Sequence, residues 1–545
     1  MDSASLWSVL SGLLGGLGLL LIGMSMMTDG LKLAAGNALS SLLAQWTNTR
    51  LRGLAAGLLI TAVVQSSSAV TVATIGFANA GILSLERAVW VIFGSNVGTT
   101  MTAWIVALVG FKLDIAAIAL PLVGVGALLK LTAGRSRRGS YGVAVVGFAL
   151  LFLGIGALKS AFEGLADGFA LPGFTELTLA SLLLYVAIGF GMTTLMQSSS
   201  AAMVVALSAA ESGLVEINAA AAVVIGANLG TTSTALLTMI GATPNARRVA
   251  ISHLAFNLLT AIVALLLLGP MLWLVGFLQD SAHLEPSAAV TLAVFHTLFN
   301  VMGVLLMWPL SALLVRELSR LFHAADQKVA RPRYLDRSTL GVPYTGTTAM
   351  AKEVRRIALH ACRGLLDILR DRADNAVQER ADIRSLASAV GEFAVQLNRG
   401  SLTPFLVDTV ANLITALQHY LTVVALGADI QRLRSELAGQ SLPAAAEQAI
   451  TDFTARAEAF VRAWEDGLKE SGQELLPEYD SIREAYDGLK RDLLKETAGG
   501  DLSIQQVDLC LQYLDELRRT CRQLARANAR LTDSLVALQR SKPAE

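Results

Sequence analysis

One short polar sequence, Gln-Ser-Ser-Ser-Ala, occurs twice in the chain, each time inside an otherwise apolar segment. Three consecutive hydroxyls cannot share one face of a helix, but they can converge with freed backbone N–H groups where a helical hairpin turns. A half-helix that starts at such a turn adds the positive end of its dipole, and the turn can then bind an anion. The alternative is structural, because serines that bond back to their own helix also let helices pack closely. The candidate binding residues are Gln65, Ser66, Ser67, Ser68, Gln197, Ser198, Ser199 and Ser200.

A second polar sequence, Gly-x-Asn-x-Gly-Thr-Thr, follows each copy of the first at the same distance. Residues 65–100 align without gaps with residues 197–232, with 15 identities in 36 positions at an offset of 132, which indicates an internal repeat. Glycine lets a backbone unwind or approach another helix, and asparagine and threonine oxygens suit a small alkali cation such as sodium. The alternative is tight glycine-mediated packing with threonines bonded to their own helix. The supporting residues are Asn96, Thr99, Thr100, Asn228, Thr231 and Thr232.

A third pattern, His-x-x-Phe-Asn, also occurs twice, at His253 to Asn257 and at His296 to Asn300. The spacing places each histidine and asparagine on one face of a helix. We expect these four side chains to fix helix packing around the site through hydrogen bonds. A direct role as a ligand or a proton carrier is the alternative.

Charged residues are distributed unevenly along the chain. Residues 1–315 hold 23 of the 86 Asp, Glu, Lys and Arg residues, about 7% of that part, against about 27% of the remainder. The first part is therefore typical of a membrane protein and the second of a soluble one. Because no charged residue lies inside an apolar run away from its ends, co-bound cations could compensate the charge of a bound anion, and the pattern argues against a proton relay by Asp or Glu. Acids and bases balance at 43 each, so nothing points to nucleic acid.

Seven apolar runs are long enough to cross a hydrocarbon core of ~30 Å. They lie at about 6–28, 88–110, 115–131, 141–160, 217–240, 248–270 and 289–314. Two further segments, 53–82 and 180–212, are too short for two complete crossings, so each either crosses once or re-enters as a hairpin. Hairpins keep the basic loops, such as those with Arg50 and Arg248, on the cytoplasmic side. Three crossings between the hairpins then invert the second repeat, as in secondary transporters.

These observations predict an all-α, polytopic membrane protein with inverted repeats and two re-entrant helical hairpins, followed by a soluble helical bundle. The predicted domains are a transporter domain at 1–323, with repeat cores at about 53–110 and 180–240, a linker at 324–346, and a C-terminal domain at 347–545. Apolar stripes at helical spacing and breaks at glycine and proline give the C-terminal domain five or six helices.

The paired QSSS and GxNxGTT sequences resemble the sodium-dependent phosphate cotransporter family, that is, the type II sodium/phosphate symporters and their bacterial relatives. The resemblance covers roughly residues 10–315. It implies that the QSSS sequences lie on re-entrant hairpins and contribute to phosphate and sodium binding, with the GxNxGTT residues as neighbours. The C-terminal domain, from its helical pattern and its context, resembles a PhoU-like domain, and the bacterial branch with such a domain includes members associated with phosphate export.

The resemblance implies sodium-coupled transport of inorganic phosphate across the plasma membrane by alternating access, with a cytoplasmic, regulatory C-terminal domain. The alternatives are a phosphate exporter and a phosphate sensor that signals through that domain. A serine-dependent intramembrane hydrolase is disfavoured, because the chain lacks a GxSxG sequence and a buried aspartate to orient a histidine. We expect no enzyme activity and no cofactor, with phosphate, sodium and the lipid bilayer as partners. The sequence leaves open the direction of transport, the sodium stoichiometry and the oligomeric state, for which a homodimer is one expectation.

Overall fold

The computed structural model divides into two compact units, Met1–Phe322 and His323–Glu545. It describes all residues except 1–2, 36–41, 44–45, 111–114, 135, 169–177, 240–241, 284–286, 323–329, 341, 373–375, 399–401, 471–478, 500–501 and 541–545. Every regular element among the described residues is helical.

The first unit is built from fourteen described helices. They are α1 (Ser3–Ala35), α2 (Arg50–Val64), α3 (Ser67–Asn79), α4 (Leu85–Gly98), α5 (Thr100–Ile105), α6 (Ile115–Ala133), α7 (Arg137–Gly168), α8 (Leu179–Met196), α9 (Ser199–Glu211), α10 (Ile217–Gly230), α11 (Thr232–Thr238), α12 (Pro244–Leu266), α13 (Leu268–Ser281) and α14 (Ala288–Arg320), and a π-helical turn at Val106–Gly110 extends α5.

Eight described helices, counting consecutive ones together, are long and apolar enough to cross a membrane. Seven belong to the first unit, and two of these, Leu85–Gly110 and Ile217–Thr238, combine α4 with α5 and α10 with α11. The eighth is Pro404–Ala438 in the second unit. The prediction of a polytopic helical membrane protein is confirmed.

The first predicted hairpin is formed by α2 and α3, which are joined at Gln65 and Ser66. Arg50 at the start of α2 pairs with Glu86 at the start of α4, with 3.2 Å between the charged atoms. Further along, a Cβ on Gly98 of α4 would lie 2.6 Å from the carbonyl oxygen of Leu58 in α2. Helices α2 and α4 therefore run parallel from the same side, so α3 must return to that side. This geometry is a re-entrant hairpin, as predicted.

The second hairpin repeats this arrangement with α8, α9 and α10. Thr193 of α8 donates a hydrogen bond to the carbonyl of Ala227 in α10 at 2.9 Å. A Cβ on Gly230 would lie 2.9 Å from the carbonyl of Phe190, which corresponds to the contact between Gly98 and Leu58. Three apolar passages separate the two hairpins, namely α4 with α5, then α6, then α7. The second hairpin therefore opens from the opposite side, which makes the repeats inverted.

The ends of the late helices agree with this topology. Arg248 near the start of α12 donates from Nε and Nη2 to the carbonyl of Leu321, at 3.1 and 2.7 Å. The start of α12 and the end of α14 therefore lie on one side. Thr243 at the start of α12 also bonds to Asn79 at the end of α3, so this is the side from which the first hairpin opens.

The second unit consists of one short helix and six long ones. They are α15 (Arg337–Leu340), α16 (Pro343–Leu369), α17 (Ala376–Asn398), α18 (Pro404–Ala438), α19 (Ala444–Glu470), α20 (Tyr479–Gly499) and α21 (Ile504–Arg540). The apolar helix α18 packs against α21, where His419 and Gln523 are hydrogen bonded at 2.7 Å. The apolar residues of α18 therefore pack in the interior of the helical bundle.

The described part of the stretch predicted to be a linker packs against α16. Glu353 of α16 is fully buried and accepts hydrogen bonds from the N–H groups of Arg333 and Tyr334 at 2.9 and 2.8 Å. Arg356 pairs with the same carboxylate at 2.6 Å. Helix α16 begins at Pro343, within the predicted linker. Residues 324–329 and Gly341 of that stretch lie outside the described residues.

Candidate functional site

Each hairpin turns at a glutamine in the left-handed conformation that is followed by an extended serine. Gln65 has φ 58° and ψ 30°, and Gln197 has φ 51° and ψ 26°. The hydroxyls of Ser66 and Ser198 cap the next helix by accepting the N–H group three residues on, at 3.2 Å in both turns. Residues other than glycine rarely adopt positive φ. The matching angles show that the sequence repeat is also a repeat of backbone structure.

Each turn presents the first N–H groups of a half-helix, which have no partner within that helix. In α3 these groups belong to Ser67 and Ser68, and in α9 to Ser199 and Ser200. The hydroxyls of Ser67, Ser68 and Ser199 have no hydrogen-bond partner within the described part of the chain. Both turns therefore combine free hydroxyls, free amides and the positive end of a helix dipole, which is the chemistry that binds oxyanions.

The two turns meet at Thr102, in α5. Its hydroxyl donates to Gln65 Oε1 at 2.8 Å, and its oxygen lies 3.4 Å from the hydroxyl of Ser200. Thr102 was not among the predicted site residues. The signal was present, since Thr234 stands at the same offset of 132 and extends the alignment of the repeats by two positions.

A narrow cleft lies beside this junction, and in this conformation it is too tight to admit a water-sized sphere. It is lined by Thr99, Ser199, Ser200, Met203, Asn228 and His296. The cleft therefore brings together the second hairpin turn, the GxNxGTT sequences of both repeats and one late helix. The first hairpin turn reaches it only through Thr102, and Gln197 is exposed with its amide nitrogen bonded to the carbonyl of Thr194 at 2.6 Å.

The GxNxGTT sequences lie where α4 meets α5 and where α10 meets α11, and their backbone is not unwound there. Thr99 and Thr231 keep helical angles, and their hydroxyls donate to the carbonyls of Asn96 and Asn228 at 2.5 and 2.6 Å. Thr100 and Thr232 also bond back to their own helices, at 2.8 and 2.7 Å. Glycine-mediated packing with back-bonded threonines, the structural alternative, therefore describes this region in the present conformation. The binding of sodium by these oxygens stays a prediction.

The histidine and asparagine pairs lie in α12 and α14 and are buried. Asn257 Nδ2 donates to the carbonyl of His253 at 3.0 Å, and Asn300 Nδ2 donates to that of His296 at 2.9 Å. Asn257 Oδ1 also accepts from Asn228 at 2.8 Å, so this pair supports a residue that lines the cleft. His296 lines the cleft itself.

A helical membrane unit with two inverted re-entrant hairpins that meet at hydroxyl-bearing turns has the architecture of many secondary transporters. The family model of the Na⁺/Pi-cotransporters matches residues 19–160 and 171–305, one segment around each repeat. The chain belongs to the Na⁺/Pi-cotransporter family.

Relatives of known name agree with this assignment. The chain is 32% identical over 306 residues to "Uncharacterized protein YqeW" of Bacillus subtilis, covering 54% of this chain and 92% of that protein. It is 27% identical over 380 residues to "Putative inorganic phosphate export protein YjbB" of Salmonella typhimurium, covering 69% and 68%. A 56-residue stretch, 10% of this chain and 9% of the relative, is 45% identical to the rabbit "Sodium-dependent phosphate transport protein 2A". No solved structure matches the chain.

Proposed function

We propose that this protein is a non-enzymatic carrier that moves inorganic phosphate across the cell membrane in a sodium-coupled, alternating-access cycle. The observation that carries the proposal is the junction at Thr102, which holds the turns of two oppositely inserted hairpins next to each other. A tetrahedral oxyanion placed between these turns can accept hydrogen bonds from both helix starts and from their serines.

The charge balance of this region supports sodium coupling. Among the residues that the structure describes, no Asp, Glu, Lys or Arg lines the cleft, and burying a multivalent anion alone is costly. Sodium ions bound at nearby asparagine, threonine and carbonyl oxygens would neutralise the anion, and neither ligand would then bind well without the other. This mutual dependence is what couples their transport.

The second unit belongs on the cytoplasmic side in this proposal. The side shared by Arg50, Arg248 and the end of α14 carries basic residues, and basic residues favour the cytoplasm. The chain enters the second unit from this side, so a regulatory role for that unit would be exerted from the cytoplasm.

Outward transport is the second candidate for direction, and the name of the Salmonella relative supports it. The same site serves uptake and export, because a carrier runs in the direction that the combined gradients of its ligands dictate.

The test is the flux of radiolabelled phosphate in proteoliposomes with an inward, an outward or no sodium gradient. We expect flux in the direction of the sodium gradient, little flux when potassium replaces sodium, and competition by unlabelled phosphate. Flux that ignores sodium would contradict the coupling. Phosphate binding without any flux would contradict transport and favour a sensor.

A further inference from the structure

The inverted repeats place two asparagines in equivalent positions. Asn96 of α4 and Asn228 of α10 are separated by the repeat offset of 132. Both are buried, with exposures of 1% and 4%. Each packs in a region where its helix contacts both α12 and α14.

The late helices α12 and α14 also occupy equivalent positions in the two repeats, although the aligned residues 65–100 and 197–232 do not include them. The start of α12 bonds to Asn79 at the end of α3, and the start of α14 bonds through the N–H group of Ala289 to Glu211 at the end of α9, at 2.9 Å. Asn79 and Glu211 are again 132 positions apart. The symmetry operation that superposes the first hairpin on the second therefore also superposes α12 on α14. Asn257 of α12 then corresponds to Asn300 of α14.

This mapping predicts two equivalent hydrogen bonds, of which the structure makes one. Asn228 Nδ2 donates to Asn257 Oδ1 at 2.8 Å. The counterpart would join Asn96 Nδ2 to Asn300 Oδ1, but both of these buried atoms lack a partner among the described residues. A buried donor and a buried acceptor without partners each raise the free energy of the folded state. A hydrogen bond between the two would remove both penalties.

Asn96 and Asn300 belong to the same helix interface. The rings of Trp90 and Trp308 lie 4.8 Å apart at one end of it, and Trp104 Nε1 donates to Thr297 at 2.9 Å at the other. The consecutive helices α4 and α5 therefore run antiparallel to α14 there, and both asparagines lie between these two contacts in sequence. A small shift of one helix along the other is enough to change their separation.

The hairpin turns also differ between the repeats, but here the bond is made in the first repeat and missing in the second. Gln65 of the first turn is buried and bonded to Thr102. Gln197 of the second turn is exposed, and its expected partner Thr234 bonds instead to the carbonyl of Thr231 at 2.7 Å. In this conformation the first repeat has the bond between its turn glutamine and threonine but lacks the bond between its asparagines. The second repeat has the bond between its asparagines but lacks the one between its glutamine and threonine.

We propose that Asn96 and Asn300 form a hydrogen bond in the other state of the transport cycle, while Asn228 and Asn257 separate. The inference rests on the proposed alternating-access function, because inverted repeats exchange conformations as access changes sides. The four asparagines are positioning residues: each bond stabilises one state, and transport requires passage between the two.

The test uses matched variants, Asn257→Leu and Asn300→Leu, each combined with a single cysteine reporter at Gln65→Cys or Gln197→Cys. The three native cysteines are buried in the second unit, so background labelling with a water-soluble thiol reagent is low. Asn257→Leu removes the bond of the present state and is expected to raise labelling at position 65 at least about threefold and to lower it at position 197. Asn300→Leu is expected to change both signals in the opposite direction. Asn300→Ser, which also removes the Oδ1 acceptor, replaces it if the leucine variant is not monodisperse.

Flux gives a second readout. Asn96→Leu and Asn300→Leu share one bond, so the double variant should lose no more flux than the more impaired single variant. Labelling changes in the same direction, or additive losses for Asn96 and Asn300, would overturn the pairing even if the wild type transports phosphate. Opposite labelling changes in a protein without flux would uphold the exchange and contradict the proposed transport instead.

Discussion

At the scale of single residues, one hydroxyl decides whether the two hairpin turns act together. Thr102 is within hydrogen-bond distance of both turns, at 2.8 Å from Gln65 and 3.4 Å from Ser200. Its repeat equivalent, Thr234, bonds only within its own helix in this structure. The candidate site is therefore asymmetric, although the sequence repeat that builds it is nearly symmetric.

Replacing Thr102 by valine should weaken phosphate transport without preventing folding. Valine keeps the shape and removes the bond to Gln65, which is worth about 1 kcal/mol and corresponds to roughly a fivefold loss in flux at low phosphate. The measurement is initial flux in proteoliposomes, and Thr238→Val is the control, because the hydroxyl of Thr238 bonds back to Ala235 of its own helix and its loss should change flux by less than about threefold. Equal effects of the two substitutions would contradict the role of Thr102.

His360 in the second unit should make stability depend on pH. Burial lowers the pKa of its imidazole, and Arg356 and Arg363 lower it further, against the smaller effect of Asp382. Because the folded pKa lies below the unfolded value of 6.5, the unfolded state binds more protons as the pH falls through that value, and stability falls with it.

The check is the thermal unfolding midpoint of the full-length protein at about pH 7.5 and about pH 5.5, for the wild type and for His360→Gln. The variant should lose less stability on acidification. Identical pH dependence in both proteins would contradict this assignment.

At the scale of helices, glycines let α2 pack on α4 and α8 pack on α10. A Cβ on Gly94 would collide with the carbonyl of Leu54, and one on Gly226 would collide with that of Val186. These contacts, repeated at the same offset, hold each hairpin against the helix that follows it. The helix pairs therefore form the rigid frame from which the turns project.

Gly94→Ala and Gly226→Ala should each destabilise the protein. The added methyl group must push two backbones apart, which costs about 1–3 kcal/mol of the free energy of unfolding. Thermal unfolding in detergent measures this cost. Gly191→Ala is the control, because nothing lies within 4 Å of its added Cβ, and alanine favours helix there. A stable Gly94→Ala variant would contradict the close packing.

The sequence was sufficient to predict the elements but not their contacts. A QSSS segment of about 30 residues is too short for two crossings, and the basic loops then favoured a hairpin over a single crossing. The glycines of GxNxGTT were consistent with either unwinding or close packing, and only the approach of Leu54 to Gly94 decides between them. Thr102 was missed because its partners lie 37 and 98 residues away in sequence.

At the scale of the whole molecule, the open ends of the two inverted hairpins lie on opposite sides of the membrane. Arg50 and Glu86 lie together at the open end of the first hairpin. Helices α8 and α9 of the second hairpin open on the other side, after three passages. The end of α14 returns to the side of the first hairpin, where Arg248 holds Leu321.

Single cysteines should report this topology in intact cells. Arg52→Cys and Arg87→Cys, both exposed near the open end of the first hairpin, should be protected from an impermeant thiol reagent. Thr178→Cys and Glu216→Cys, exposed near the open end of the second hairpin, should react with it. Labelling of Arg52→Cys but not of Arg87→Cys would mean that 53–82 crosses the membrane once.

The most direct test of the shared site is equilibrium binding of radiolabelled phosphate, in sodium, to Ser67→Ala, to Ser199→Ala and to the double variant. Each single variant removes a free hydroxyl from one turn, so we expect each to raise the Kd about five- to tenfold, and the double variant to bind more weakly than either. Wild-type affinity in either single variant would mean that the two turns do not hold phosphate together.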